Sequence, residues 1–308
     1  MGQQYIGAII KEFRKRKNLT QDDLCIGDLD TVTISRIENG HTMPQLGVIK
    51  QIFARLGMRT PMNLIPVTDE EFEKYILQKN IEESEREQSD FLELLEQFKD
   101  NPVGMDAFDW QFYYSYKALC LEKGQCDKDE LLNLYLSAIK ETLPSFSMDA
   151  NFKKRNYYTP NELLCIYKIA CLMLNTQNRK QAYKLFQFLY DYMQCENIDE
   201  DEKDKYFAVV ILNICKCKEE SGNFESVLQL SEQGINFLIE KDILDKLTDL
   251  LYIKAKMEII LGRSESSLKS LRPMFIILKY QKEQGQIDEI CNELKNKYNY
   301  ILPDWITA

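Results

Sequence analysis

Residues 19–40, LTQDDLCIGDLDTVTISRIENG, decide the fold of the N-terminal part of this chain. Thr20 is placed to cap a short helix by accepting the backbone N–H of Asp23, and that helix is expected to run to about Cys25. Gly27 and Asp28 supply turn chemistry. A second helix is expected from Asp30 or Thr31 to Asn39-Gly40, where glycine suits the left-handed residue after a helix end. In that second helix Ile34 and Ile37 share one face, with Leu24 available beneath them. Thr31, Val32, Thr33, Ser35 and Arg36 are left outside. A short helix with a dry underside and a small, polar, Arg-bearing outer face suits a DNA major groove. The pattern is a helix-turn-helix.

LTQ-x-x-L followed by IS-R-IENG resembles the DNA-binding domain of the phage-repressor/Cro (XRE) family. Its turn is one residue shorter than the common form. With Cys25 directly after Leu24, this is similar to the PlcR/Rgg/PrgX (RRNPP) group of peptide-sensing regulators. By position, the resemblance implies that Gln21 contacts a phosphate or a base and that Thr31, Val32 and Arg36 read bases. It also implies that Asn39 contacts a phosphate and that Glu38 pairs with Arg14 of the first helix to lock the motif. Thr and Val replace the longer amides of that family's readers, so no relative's operator carries over. Thr33 and Ser35 complete the expected DNA-facing set.

The net charge of −10 is unequally divided. Residues 1–60 hold nine Lys/Arg against six Asp/Glu, a net of +3, which leaves −13 on the remaining 248 residues. A basic head on an acidic body confines attraction for DNA to the head. At 308 residues the chain exceeds one ordinary core, so two domains or a repeat array are expected. It contains no run of about 18 apolar residues, and its basic cluster follows rather than precedes the first apolar stretch. The expectation is a cytoplasmic protein with no membrane contact. Nine cysteines without a C-x-x-C pair read as free thiols, with no metal site and no cofactor.

In chain order, Ile6, Ile9, Ile10 and Phe13 form one helical stripe, followed by the basic run Arg14 to Lys17. Pro44 stands where a further helix can start, with Val48, Ile49, Ile52, Phe53 and Leu56 at helical spacing. His41, the only histidine, is expected in an exposed loop near the phosphates. Two prolines in residues 58–68 mark a boundary, and residues 69–87 read as a charged linker helix. The expected division is 1–60 helix-turn-helix domain, 61–87 linker and 88–308 repeat domain.

From residue 88 to 300 the pattern is helix after helix. Ile169-Ala170, Ile214-Cys215 and Lys254-Ala255 place small residues mid-helix at spacings of 45 and 40 residues. Ala138, Ala182, Gly234 and Ser267 do the same in the intervening helices. Small residues there let paired helices approach closely, as tetratricopeptide (TPR) hairpins require, although the usual period is about 34. The fold class is therefore all-α: a phage-repressor-like helix-turn-helix domain, then a degenerate TPR-like α-solenoid of about five hairpins with a capping helix near 284–300.

Projected onto the repeat, Tyr116, Tyr167, Lys168, Asn213, Lys216, Tyr252 and Lys256 fall on or near the concave face. Asn213 leads, because an Asn amide can bond a bound backbone as donor and acceptor at once. No phosphate loop, G-x-S-x-G or H-E-x-x-H occurs, and one histidine serves few acid–base schemes, so no enzyme is expected. The reading is a homodimeric regulator that binds a double-stranded DNA operator and is modulated by a short signalling peptide in quorum sensing. The alternative is a prophage- or plasmid-type repressor whose repeats serve only dimerisation or a protein partner.

Overall fold

The structure is a computed structural model, describing residues 2–26, 29–56, 74, 77–78, 80–82, 91–102, 104–124, 126–151, 157–174, 178–195, 198 and 200–303. The chain is all-α: apart from the isolated bridge between Ile26 and Leu29, no strand pairing occurs among the described residues. It divides into two compact units, Met1–Asp199 and Glu200–Ala308. The expected turn residues Gly27 and Asp28, the boundary near residue 60 and most of the 69–87 linker helix lie outside the described residues.

The first unit opens with the head: α1 (Gly2–Arg16), a 3-10 turn (Asp22–Leu24), α2 (Thr31–Glu38) and α3 (Leu46–Arg55). Its core is Ile6, Ile10, Leu19, Leu24, Leu29, Ile34, Ile37, Ile49, Ile52, Phe53 and Leu56, with Phe13 and Val48 against it. The apolar stripes of α1 and α3 and the underside of α2 thus converge on one interior. Thr20 and Asp23 cap each other reciprocally: Asp23 N–H donates to the Thr20 hydroxyl at 3.2 Å, and Thr20 N–H donates to the Asp23 carboxylate at 2.7 Å. The helix expected from Thr20 to Cys25 is only one 3-10 turn, because a residue later the chain is already extended at Cys25. Pro44 likewise precedes α3, whose N-cap is Gln45.

One contact sets how the head packs. A Cβ built on Gly7 of α1 would sit 2.0 Å from the carbonyl oxygen of Ile37 on α2. The two backbones therefore cross with room for glycine alone.

The rest of this unit is α4 (Phe91–Lys99), α5 (Ala107–Glu122), α6 (Lys128–Thr142), α7 (Pro160–Leu174) and α8 (Arg179–Met193). Asp106 begins α5 with a capping box, accepting the N–H groups of Phe108 and Asp109 while Asp109 accepts its own. The pairs α5–α6 and α7–α8 are helical hairpins, and Ala138, Ala170 and Ala182 are fully buried at their contacts.

The second unit holds α9 (Glu200–Glu220), α10 (Phe224–Glu240), α11 (Leu247–Ile260), α12 (Ser264–Tyr280) and α13 (Gln284–Tyr298). Its small residues Cys215, Ala255 and Ser267 are also fully buried. Gly234 is closely packed, since a Cβ there would lie 2.8 Å from Leu250 Cδ1 of α11 and 3.2 Å from Ile211 Cγ2 of α9. These are TPR-like hairpins, with α13 at the expected capping position. Four helices end alike, on left-handed residues Gly222, Asp242, Gly262 and Lys282, with φ between +56° and +75°. At each end that residue's amide bonds the carbonyl three back, and the next amide bonds the carbonyl five back, at 2.7–3.4 Å.

Candidate nucleic-acid interface and ligand faces

The outer face of α2 is held by a cap at one end and a lock at the other. Asp30, extended at φ −92°, accepts Thr33 N–H at 2.7 Å and starts the helix. The hydrogen bonds from the Thr33 side chain and backbone lower the Asp30 pKa. At the far end Arg14 Nε and Nη2 reach the two Glu38 oxygens at 2.5 and 2.8 Å, and Nη1 donates to Leu19 O at 2.9 Å. A planar guanidinium matched to a carboxylate is the strong form of such a pair. Gln21 joins it, its amide donating to Glu38 Oε2 at 2.8 Å. Gln21, an expected phosphate or base contact, thus also supports Glu38.

Burial pushes the Glu38 carboxyl up, but hydrogen bonds from Arg14 and Gln21 and the charge of Arg14 outweigh it, so its pKa lies below the ordinary value of 4.5. A depressed carboxylate stabilises the fold above its unfolded pKa and loses that contribution as pH falls through the folded one. We expect the urea midpoint of the head to fall in step with pH below about 4.5 in the native chain. Glu38→Gln should lower the midpoint at neutral pH and converge with the native chain in acid. Parallel curves across that range would sink the assignment.

Between cap and lock, Thr31, Val32 and Arg36 are exposed, Thr33 and Ser35 half-exposed, and Ile34 and Ile37 buried. Asn39 is exposed just past the helix, its Oδ1 accepting from Lys11 at 3.1 Å. His41 is also exposed. All seven expected contact residues lie on α2, beside it or, for Gln21, behind its last turn.

The head meets the remainder of its unit through α3. Gln51 donates to Asp106, the cap of α5, at 2.7 Å. Arg55 is 1% exposed and donates to Tyr157 O at 2.9 Å, with Glu162 of α7 at 3.9 Å. Glu162 in turn accepts the Thr142 hydroxyl at 2.9 Å and Thr159 N–H at 2.8 Å, and Gln111 donates to Thr142 at 2.7 Å. One buried polar chain therefore runs from α3 through α7 and α6 to α5. Sequence reading missed it; a lone Arg in the last turn of a helix reads as a partner of the helix dipole.

The expected peptide residues fall into two separate groups. In the first unit Tyr116 stacks on Phe112 at 4.1 Å between ring centroids, Tyr167 packs edge-on against Phe186, and Lys168 is ion-paired with Glu122. In the second, α9 and α11 carry Asn213, Lys216, Tyr252 and Lys256. Asn213 is 7% exposed and spends its amide donor on Val209 O of its own helix at 2.9 Å. Lys216 is exposed. Lys256 pairs with Glu219 at 2.7 Å and lies over the Tyr252 ring at 5.7 Å. Burial and then Glu293 of α13 raise the Tyr252 pKa. From sequence Glu122 and Glu293 blend into the acidic background of the body, and Glu219, beside Glu220, reads as a solvated helical face, whereas the structure pairs it with Lys256. Among the described residues no cluster of His, Cys, Asp and Glu could hold a metal ion, and no helix is long and apolar enough to cross a membrane.

Residues 10–61 match the family model described as helix-turn-helix. The head is a helix-turn-helix domain. No curated protein matches the chain. Among solved structures it is similar to PlcR of Bacillus thuringiensis in complex with the peptide PapR7 and DNA. The identity there is 14%, over 94% of this chain and 99% of that one, with a TM-score of 0.54. The apo form of ComR from S. thermophilus is 17% identical, over 93% and 99% of the two chains, with a TM-score of 0.45. ComR from Streptococcus vestibularis in complex with its cognate signaling peptide XIP is 15% identical, over 94% and 97%, with a TM-score of 0.43. The helix-turn-helix domain and the helical body behind it thus share the fold of PlcR.

Proposed function

We propose that this chain is a sequence-specific transcription regulator, acting in the cytoplasm as a homodimer, whose helical body binds a short signalling peptide that modulates DNA binding. The outer face of α2 carries the reading: a capped and locked helix within a helix-turn-helix domain, presenting Thr31, Val32, Thr33, Ser35 and Arg36 to solvent. Residues 1–60 serve as the DNA-binding domain, 61–87 as linker and 88–308 as the peptide-binding and dimerising body. Support for the peptide comes from the fold shared with PlcR, a protein captured with a peptide and DNA. Lys168 and Lys256, already paired with Glu122 and Glu219, would exchange those carboxylates for the peptide's acidic groups. The ligand then shifts the head only by its differential affinity for two arrangements of the body. No step of this function is catalytic.

Selection of bound fragments from a random duplex pool tests the DNA reading; an enriched palindromic site is expected, and an unenriched pool would overturn it. Native mass spectrometry of the chain purified from its own host tests the rest. A dimer carrying a short peptide is expected, and a monomer with no added mass counts against both partners. Arg36→Ala should cost about 1–3 kcal/mol of operator binding if its guanidinium reads a guanine, and should relax preference at one base pair. Unchanged preference across operator variants would remove Arg36 from the readers.

A further inference from the structure

We infer that Val32 reads the 5-methyl group of a thymine lying within two base pairs of the base read by Arg36. The inference rests on the DNA reading of the head and names what that face recognises. Val32 is 63% exposed, and only Met43 shares that status among the described large apolar residues of the head. It stands on the second position of α2, with Thr31 before it and Arg36 one turn on, all exposed. The neighbouring Ile34 and Ile37 face the interior, so the helix has no room to turn Val32 inward without expelling them.

A β-branched residue is a poor choice on an exposed helix face, where it loses rotamer freedom and packs on nothing. Its two methyl groups suit one feature of the major-groove edge, since thymine alone among the four bases carries a methyl there. Val32 cannot accept or donate a hydrogen bond, so it discriminates by apolar contact only. Residues four apart on a helix lie about 5–6 Å apart. Base pairs rise about 3.4 Å along one strand. The base met by Val32 is therefore next to, or one removed from, the base met by Arg36. Asp30 fixes this register by holding the first turn through Thr33.

The test uses the full chain and the duplex selected from a random pool. Each thymine of that site is replaced in turn by uracil, which removes the methyl group and leaves every hydrogen-bonding atom in place. One such replacement should weaken binding about fourfold, the effect of losing one buried methyl contact. In the Val32→Ala variant the same replacement should have no effect, while every other contact keeps its strength. Val32 is 63% exposed and is not part of the head's core, so this variant keeps the fold. Arg36→Ala should weaken binding yet leave the uracil effect intact. If the site is bound tightly but no thymine shows a Val32-dependent loss, the inference is wrong and the DNA reading stands. If the pool yields no enriched sequence, the DNA reading fails and the inference falls with it.

Discussion

Replacing Gly7 by alanine is expected to unfold the helix-turn-helix domain while leaving the helical body folded. The added methyl group would stand 2.0 Å from Ile37 O, 3.1 Å from Ile37 C and 3.3 Å from Glu38 C. All three are backbone atoms of α2, so no side chain can rotate out of the way. The helices must separate, which opens the core between Ile6 and Ile10 on one side and Ile34 and Ile37 on the other. Separation also stretches the Arg14–Glu38 pair that bridges the same helices. Overpacking of this kind costs on the order of 3 kcal/mol or more, because the clash is with backbone. Circular dichroism should show an early melting phase confined to the head, with operator binding lost. The contrasting substitution is Gly285→Ala in α13, where no atom lies within 4 Å of the new Cβ. That variant should gain a few tenths to about 1 kcal/mol from helix propensity. Equal stability of the two variants would mean that the α1–α2 crossing is looser than described.

Arg55→Met should be the second most damaging change. Arg55 and Glu162 have side chains 2% and 0% exposed, and removing one partner leaves the other charge buried without its counter-ion. Such losses run to about 3–5 kcal/mol, whereas replacing both partners by apolar groups is often neutral. The Arg55→Met/Glu162→Gln double variant, which removes the second charge and keeps an acceptor oxygen for Thr142 and Thr159, should therefore recover most of the stability lost by Arg55→Met alone in urea unfolding. If the double variant is as unstable as the single one, Arg55 acts through the Tyr157 carbonyl and not through Glu162. The same pair of variants separates stability from regulation, since both sever the polar chain between α3 and α7.

What the sequence made legible follows from which signals are periodic. Helical stripes announce the cores of α1, α2 and α3, and small residues at 138, 170, 182, 215, 234, 255 and 267 mark the buried helix contacts. The Arg14–Glu38 pair was reached through resemblance, and the structure supplies its geometry. Gly7 escaped, because one glycine inside a helix carries no pattern and its reason lies on another helix. Arg55 escaped for a related cause: its partners are 102 and 107 residues away in the chain. The first helix of the motif came out shorter than expected because capping chemistry at Thr20 is compatible with a single turn as well as with a full helix. The ligand faces were the least legible. Position in a repeat can be projected, but whether Lys168 or Lys256 already holds a carboxylate depends on side chains of neighbouring helices.

Within Glu200–Ala308 the left-handed helix ends recur every twenty residues, at 222, 242, 262 and 282. Three of the four loops span three residues and the fourth, between α10 and α11, spans six, and closing loops this short costs little chain entropy. Contacts between near neighbours in sequence make a topology of low contact order, the kind that folds fast. Assembly can begin at any hairpin and spread along the row, as in a one-dimensional array. On the way out, the row should come apart one helix at a time.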